Sequence, residues 1–268
     1  MYSGDKGESK GGVNVPKILN CFEVKNETEQ SADLYFYGDI VSDWWGAWDE
    51  ADQYPDAVKN FLAAQDGKDL TVYINSGGGS VFAGIAIYNM IKRHAAKNKV
   101  QVIVDGLAGS IASVIAFAGS EPPKIPSNAF LMIHNPWTSS EGNAAELRKM
   151  ADALDEVAVG MLNIYDKHLR EGVTAEDVKK LMDAESWLNG EKAAEYFDIE
   201  VTDAVEIAAA CSDYILNRAD KSKVPKGLFE KKQPQGAGKP DAGVEKAKRE
   251  TAKARDAVMR NYLSMLKP

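Results

Sequence analysis

Two apolar runs separated by a helix-period segment constrain this fold more than any other feature of the chain. DLTVYINS (69–76) and VQVIVDG (100–106) are rich in β-branched and aromatic residues, so each reads as a buried strand. Between them VFAGIAIYNMIKRHAA (81–96) puts Val81, Ile85 and Tyr88 on one side of a helix, with Met90 and Ile91 nearby and Lys92, Arg93 and His94 towards its C-terminal end. Strand, helix and strand with short joints form a βαβ unit, which requires parallel pairing and a right-handed crossover. LYFYGDIV (34–41) supplies an earlier strand ending near Asp43, and NAFLMIHN (128–135) a later one. SIASVIAFAGS (110–120) reads as a small, fully apolar helix. The expected class is α/β, with helices covering a mostly parallel sheet.

Further along, residues 141–169 form the longest helical stretch, with Leu147, Met150, Leu154, Val157, Met161, Tyr165 and Leu169 recurring at three- and four-residue steps. Such a helix would run about 40 Å at 1.5 Å per residue, long enough to project and pack on another subunit. TAEDVKKLM opens with a capping-box pattern at Thr174–Asp177 and predicts a short helix, and GEKAAEYF another. Residues 1–17 carry Gly, Ser and Lys with too little apolar surface to order, which predicts a flexible leader. The expected folded body is 18–216. From about Asn217 a Pro/Gly/Lys linker and a charged C-terminal helix fill 217–268.

Charge divides along the same line. The net charge is −8, yet residues 220–268 carry 13 Lys or Arg against 6 Asp or Glu, leaving 19 against 34 elsewhere. An acidic body with a basic tail points to an acidic partner or to the tail folding back, and two aromatics in the tail are too few to suggest nucleic acid. No apolar run reaches the length of a membrane span and the N-terminus lacks a signal-peptide core, so the expectation is a cytoplasmic protein with no membrane contact. Cys21 and Cys211 have no paired spacing, and His94, His134 and His168 form no metal-binding pattern. Neither a metal nor another cofactor is expected.

Three places can carry chemistry. INSGGGS (74–80) sets three glycines directly after a strand, where exposed backbone N–H groups make an anion-accepting nest. It lacks the Gly-Lys-Ser/Thr ending and the GxGxxG spacing of nucleotide loops. GLAGSIAS (106–113) puts Ser110 where a strand hands over to a helix, the geometry of a nucleophile elbow, with the unpaired N–H of Ile111 beside it. A serine at a helix start is most often only an N-cap, and spacing leaves that reading open. His134 closes a strand at the same carboxyl edge, where parallel sheets bind ligands. Asp183 and Glu185 are the candidate acids downstream.

Taken in order, INSGGGSVFAGIAIYNMI, GLAGSIASVIAFAG, LMIHNP and ESWLNGEKAAEY resemble the Clp protease (ClpP) family of serine peptidases, especially the ClpP-like enzymes of tailed bacteriophages that process scaffold or capsid proteins. The resemblance runs from about Leu34 to Val205. It implies a ClpP/crotonase-like spiral ββα superhelix with a protruding handle, the 141–169 helix, which joins rings of a homo-oligomer. It also implies Ser110 as nucleophile, His134 as general base and Glu185 as acid where the family has aspartate, with Asp183 the alternative. The oxyanion hole falls on the Gly79 and Ile111 amides, Gly78 and Ser80 lie beside the substrate, and Ser113 is left as packing. Gly77 stands where the family usually has proline. The implied substrates are capsid or scaffold proteins. Alternatives are a degenerate assembly protein of the same fold and a housekeeping Clp subunit served by an ATP-dependent unfoldase.

Overall fold

The computed structural model describes residues 27–42, 54–206, 209 and 219–229. The chain divides into units 1–230 and 231–268, and the described residues belong to the first. The leader expected at 1–17 and the charged helix expected near the C-terminus lie outside them.

Strands β1 (Ser31–Phe36), β2 (Asp69–Ser76) and β3 (Val100–Gly109) pair in parallel, with β2 central. Between them come α1 (Pro55–Ala64) and α2 (Val81–Ala95), so the predicted βαβ unit is present and a second precedes it. α1 begins at a proline, which costs nothing at a helix start because the first amides have no partner within the helix. α2 starts at Ser80, whose Oγ accepts from the Ala83 N–H, and buries Ala83, Ile87, Tyr88 and Ile91 against the sheet.

β3 is the pivot of the fold. Its first half pairs at Ile103 with β4 (Lys124–Pro126), and its last residues, Leu107–Gly109, pair with β5 (Phe130–Ile133). The register of β2 and β3 shifts between Ile74 and Ser76, so the two strand ends leave the sheet displaced from their regular alignment. After β3 the six residues of α3 (Ile111–Ala116) are all buried, which explains why this stretch holds only Ile, Val, Ala and Ser. β4 also pairs with β7 (Glu200–Thr202), while β6 (Ser186–Asn189) lies antiparallel on β5. The mostly parallel α/β sheet was legible in the sequence; α1, β4, β6 and β7 were not.

The long helix α4 (Ala144–Tyr165) is capped by a reciprocal box between Asn143 and Glu146 and continues as one 3₁₀ turn, Asp166–His168. It is shorter than the predicted 141–169, about 33 Å at 1.5 Å per residue. The stripe is used unevenly. Met161 and Tyr165 are buried, with Ile164 beside them, whereas Leu147 and Met150 are 44% and 39% exposed. α5 (Ala175–Asp183) carries the predicted capping box, Thr174 with Asp177, and is followed by α6 (Gly190–Ala193) beyond β6. Residues 219–229, read from composition as linker, instead form turns against the body, with Leu228 and Phe229 packed on Leu107, Met132 and Ala209.

Candidate active site

The strand ends converge as the parallel topology requires. Ser110 follows β3 with φ 53° and ψ −127°, a conformation that costs a non-glycine residue on the order of 1–3 kcal/mol. Several bonds maintain it. The Ser110 N–H donates to the Met132 carbonyl at 2.8 Å, continuing the β3–β5 pairing into the turn. The Ser110 carbonyl accepts from the Ser113 N–H at 3.0 Å and from the Ser113 hydroxyl. Ser113 Oγ in turn lies 2.7 Å from the hydroxyl of Tyr165, itself fully buried at the end of α4. Ser113 therefore does more than pack: it ties the elbow to the long helix. The signal for this was the three-residue spacing of the serines, which puts the second one turn behind the first.

His134 comes directly after β5, and its Nε2 lies 2.7 Å from Ser110 Oγ. Burial pushes its imidazole below the usual histidine range, while the negative charge of Glu185 acts in the opposite direction. At neutral pH it is a neutral base facing a hydroxyl. The other histidines serve structure. His94 Nε2 bonds the Lys68 carbonyl at 2.8 Å, and His168 stacks on Phe117 with its pKa driven down to about 4, chiefly by burial.

The glycine loop lies against the elbow. Gly78 has φ +96°, and a Cβ there would come within 2.7 Å of Ser110 Cβ and 2.6 Å of the Gly109 carbonyl oxygen, so no larger residue fits. Gly79, at φ +146°, faces the other way, where a Cβ would fall 2.1 Å from the Ile40 carbonyl oxygen. Ile40 holds the loop through two backbone bonds, Ile40 N–H to Gly78 O at 2.8 Å and Ser80 N–H to Ile40 O at 2.7 Å. The Gly78 N–H donates to Ser76 Oγ at 3.1 Å, and Ser76 donates to Gly38 O. Neither bond to Ile40 uses the Gly79 amide. Ile111, the other predicted oxyanion donor, opens α3 directly after Ser110. Ser80 is the N-cap of α2 and touches Ser42 Oγ at 3.2 Å.

The two candidate acids separate. Asp183 is exposed at the end of α5, accepting from Asn135 Nδ2 at 2.8 Å and from Lys179 at 3.3 Å, and the Asn135 bond holds its carboxyl below the usual range. Glu185 stands in the turn before β6 at φ 49°, half-buried, and is the carboxylate whose charge acts on His134. Among the described residues no hydrogen bond joins the two side chains. Instead Glu185 Oε1 accepts from the backbone N–H of Asp220 at 2.8 Å. Asp220 was not foreseen, because nothing in a Pro/Gly/Lys segment marks a backbone amide as a partner.

A serine hydroxyl on a strained strand-to-helix turn, a neutral imidazole in contact with it and a glycine loop alongside are the arrangement that serine hydrolases use, which makes this a candidate site of that class. A family model described as Clp protease matches residues 51–199, more than half of the chain, and the protein belongs to the Clp protease family. These are peptidases that generally act on proteins and assemble as rings. Among the described residues no helix is long and apolar enough to cross a membrane.

Proposed function

We propose that the chain is a serine endopeptidase that processes capsid and scaffold proteins of a tailed bacteriophage during head maturation, in the host cytoplasm or within the prohead. The observation that carries the chemistry is the 2.7 Å contact of His134 Nε2 with Ser110 Oγ at a residue held in a positive-φ turn. As Ser110 Oγ attacks the substrate carbonyl carbon, His134 Nε2 takes the hydroxyl proton and Glu185 stabilises the resulting imidazolium. The Gly79 and Ile111 amides receive the oxyanion, where such donors act on charge that exists only in the transition state. Imidazolium then protonates the leaving amine, and water, activated by the same imidazole, hydrolyses the acyl-enzyme.

The exposed start of α4 supports assembly. Leu147 and Met150, three residues apart and so on one face, stand in solvent on a helix whose last turns alone enter the core, and a second copy packed there would cover them. We assign ring formation to this helix. The substrate class rests on the resemblance of the four ordered motifs to the phage enzymes. Its test is co-incubation of the purified protein with the capsid and scaffold proteins of its own phage, followed by intact mass. The expected result is discrete truncation by the wild type and none by Ser110→Ala. Unchanged masses beside a folded oligomer would reduce the chain to an assembly role, and cleavage only in the presence of an ATP-dependent unfoldase would make it a housekeeping subunit.

A further inference from the structure

Residues 219–229 lie beyond the segment matched by the family model, yet they fasten onto the residues around the proposed acid. The Asp220 N–H donates to Glu185 Oε1 at 2.8 Å, and the Lys223 ammonium donates to the Ala184 carbonyl at 2.6 Å. The turn that presents these groups is built locally. Asp220 Oδ1 accepts from the Ser222 N–H at 3.0 Å and the Ser222 hydroxyl at 2.6 Å, and Lys223 lies 3.6 Å from Asp220 Oδ2. Farther on, Leu228 and Phe229 pack in an apolar cluster with Leu107, Met132 and Trp187, and the Leu228 carbonyl accepts from the Ala209 N–H at 3.2 Å. Met132 is the residue whose carbonyl holds the Ser110 amide, so this anchor sits on the strands that carry the site.

Glutamate at this position needs an external tie. It has one more rotatable bond than aspartate, so its carboxylate explores more positions from the same backbone and pays more entropy to occupy one of them. Glu185 also sits at φ 49°, in a turn whose preceding carbonyl is the one capped by Lys223. We infer that residues 219–229 are a positioning strap for the triad acid: the Asp220 amide fixes the Glu185 carboxylate for service to His134, and Lys223 with the Leu228–Phe229 anchor holds that amide in place. This rests on Glu185 being the acid, as proposed above. The strap makes the catalytic acid dependent on a segment outside the matched domain, and any change that lifts the segment slows acylation.

The test is the rate at which a fluorophosphonate phosphonylates Ser110, with loss of fluoride, across the histidine titration range in the full-length protein. Asp220→Pro removes the donated N–H, Lys223→Met removes the carbonyl cap while keeping the stem, and Glu185→Gln removes the charge. The Asp220→Pro rate is expected to fall about tenfold, a fraction of what acid–base assistance is worth. Its low-pH limb should move to lower pH, as in Glu185→Gln, because the imidazole loses the charge that supports its protonated form. Lys223→Met should do the same more weakly, and Asp220→Pro should add little on the Glu185→Gln background. Wild-type rates and limbs in both strap variants, faster labelling in either, or full additivity with Glu185→Gln would overturn the inference. If Asp220→Pro does not fold, Lys223→Met and Leu228→Ser decide by the same readouts. Labelling that survives in Ser110→Ala, or a wild-type rate in Glu185→Gln, would instead defeat the triad reading itself.

Discussion

The proposed nucleophile and its proposed acid are held by opposite means. Ser110 and His134 stand at the ends of neighbouring parallel strands, so the pairing of β3 with β5 that builds the core also sets their separation. The elbow is braced from within by Met132, Ser113 and Tyr165. Glu185 lies in a turn between α5 and the antiparallel β6 and is held from outside, by the amide of a residue 35 positions later. A core-built element tolerates little change, because every neighbour is close-packed. A surface-tied one loses its position one hydrogen bond at a time.

That difference ranks the effects of substitution. Gly78→Ala strikes the core-built half: its methyl would enter the space of Ser110 Cβ at a positive φ, so the elbow must move. Acylation should fall by about 100-fold or more, the scale of losing an oxyanion donor, as measured by single-turnover kinetics. Near-normal kinetics would mean that the loop is not pressed against the elbow.

Glu185→Gln comes next, with a loss of about 10- to 100-fold, at or below the lower end of what acid–base assistance is worth because the imidazole base itself is kept. In the wild type the depressed imidazole is already neutral at pH 7, so the rate stays flat through neutrality and falls only on acidification below the ordinary histidine range. The glutamine variant should lower the plateau and carry that fall to still lower pH. A limb displaced upwards would contradict the charge relation between Glu185 and His134.

Ser113→Ala acts mainly on stability. It leaves the Tyr165 hydroxyl buried without this partner, and a cost of about 1–3 kcal/mol is expected in denaturant unfolding. Asp183→Asn sits at the bottom of the scale. An exposed carboxylate paired with Lys179 and Asn135 contributes no more than about 1 kcal/mol, and acylation should stay within about fivefold of wild type even if all of that were lost in the transition state. A loss matching that of Glu185→Gln would move the acid to Asp183.

The sequence carried the core-built half because both of its determinants are local and periodic. Apolar runs ending in Gly-Gly-Gly, Gly-Ser and His announce strand ends at one sheet edge, and the βαβ rule brings those ends together. The surface-tied half left no such trace. β6 and β7 are too short for a period to show, and α1 offered only a modest apolar face. Asp220 acts through its backbone, which any residue other than proline supplies equally. The long helix falls between the two cases: its stripe was plain, but only tertiary structure could divide it into a buried end and an exposed one.

The central claim is that Ser110 is the nucleophile and His134 its base. Labelling with a fluorophosphonate followed by peptide mass mapping tests it directly. The account predicts one adduct, on Ser110, formed by the wild type, lost in Ser110→Ala and strongly slowed in His134→Ala. An adduct on another residue, or undiminished labelling in Ser110→Ala, would contradict it.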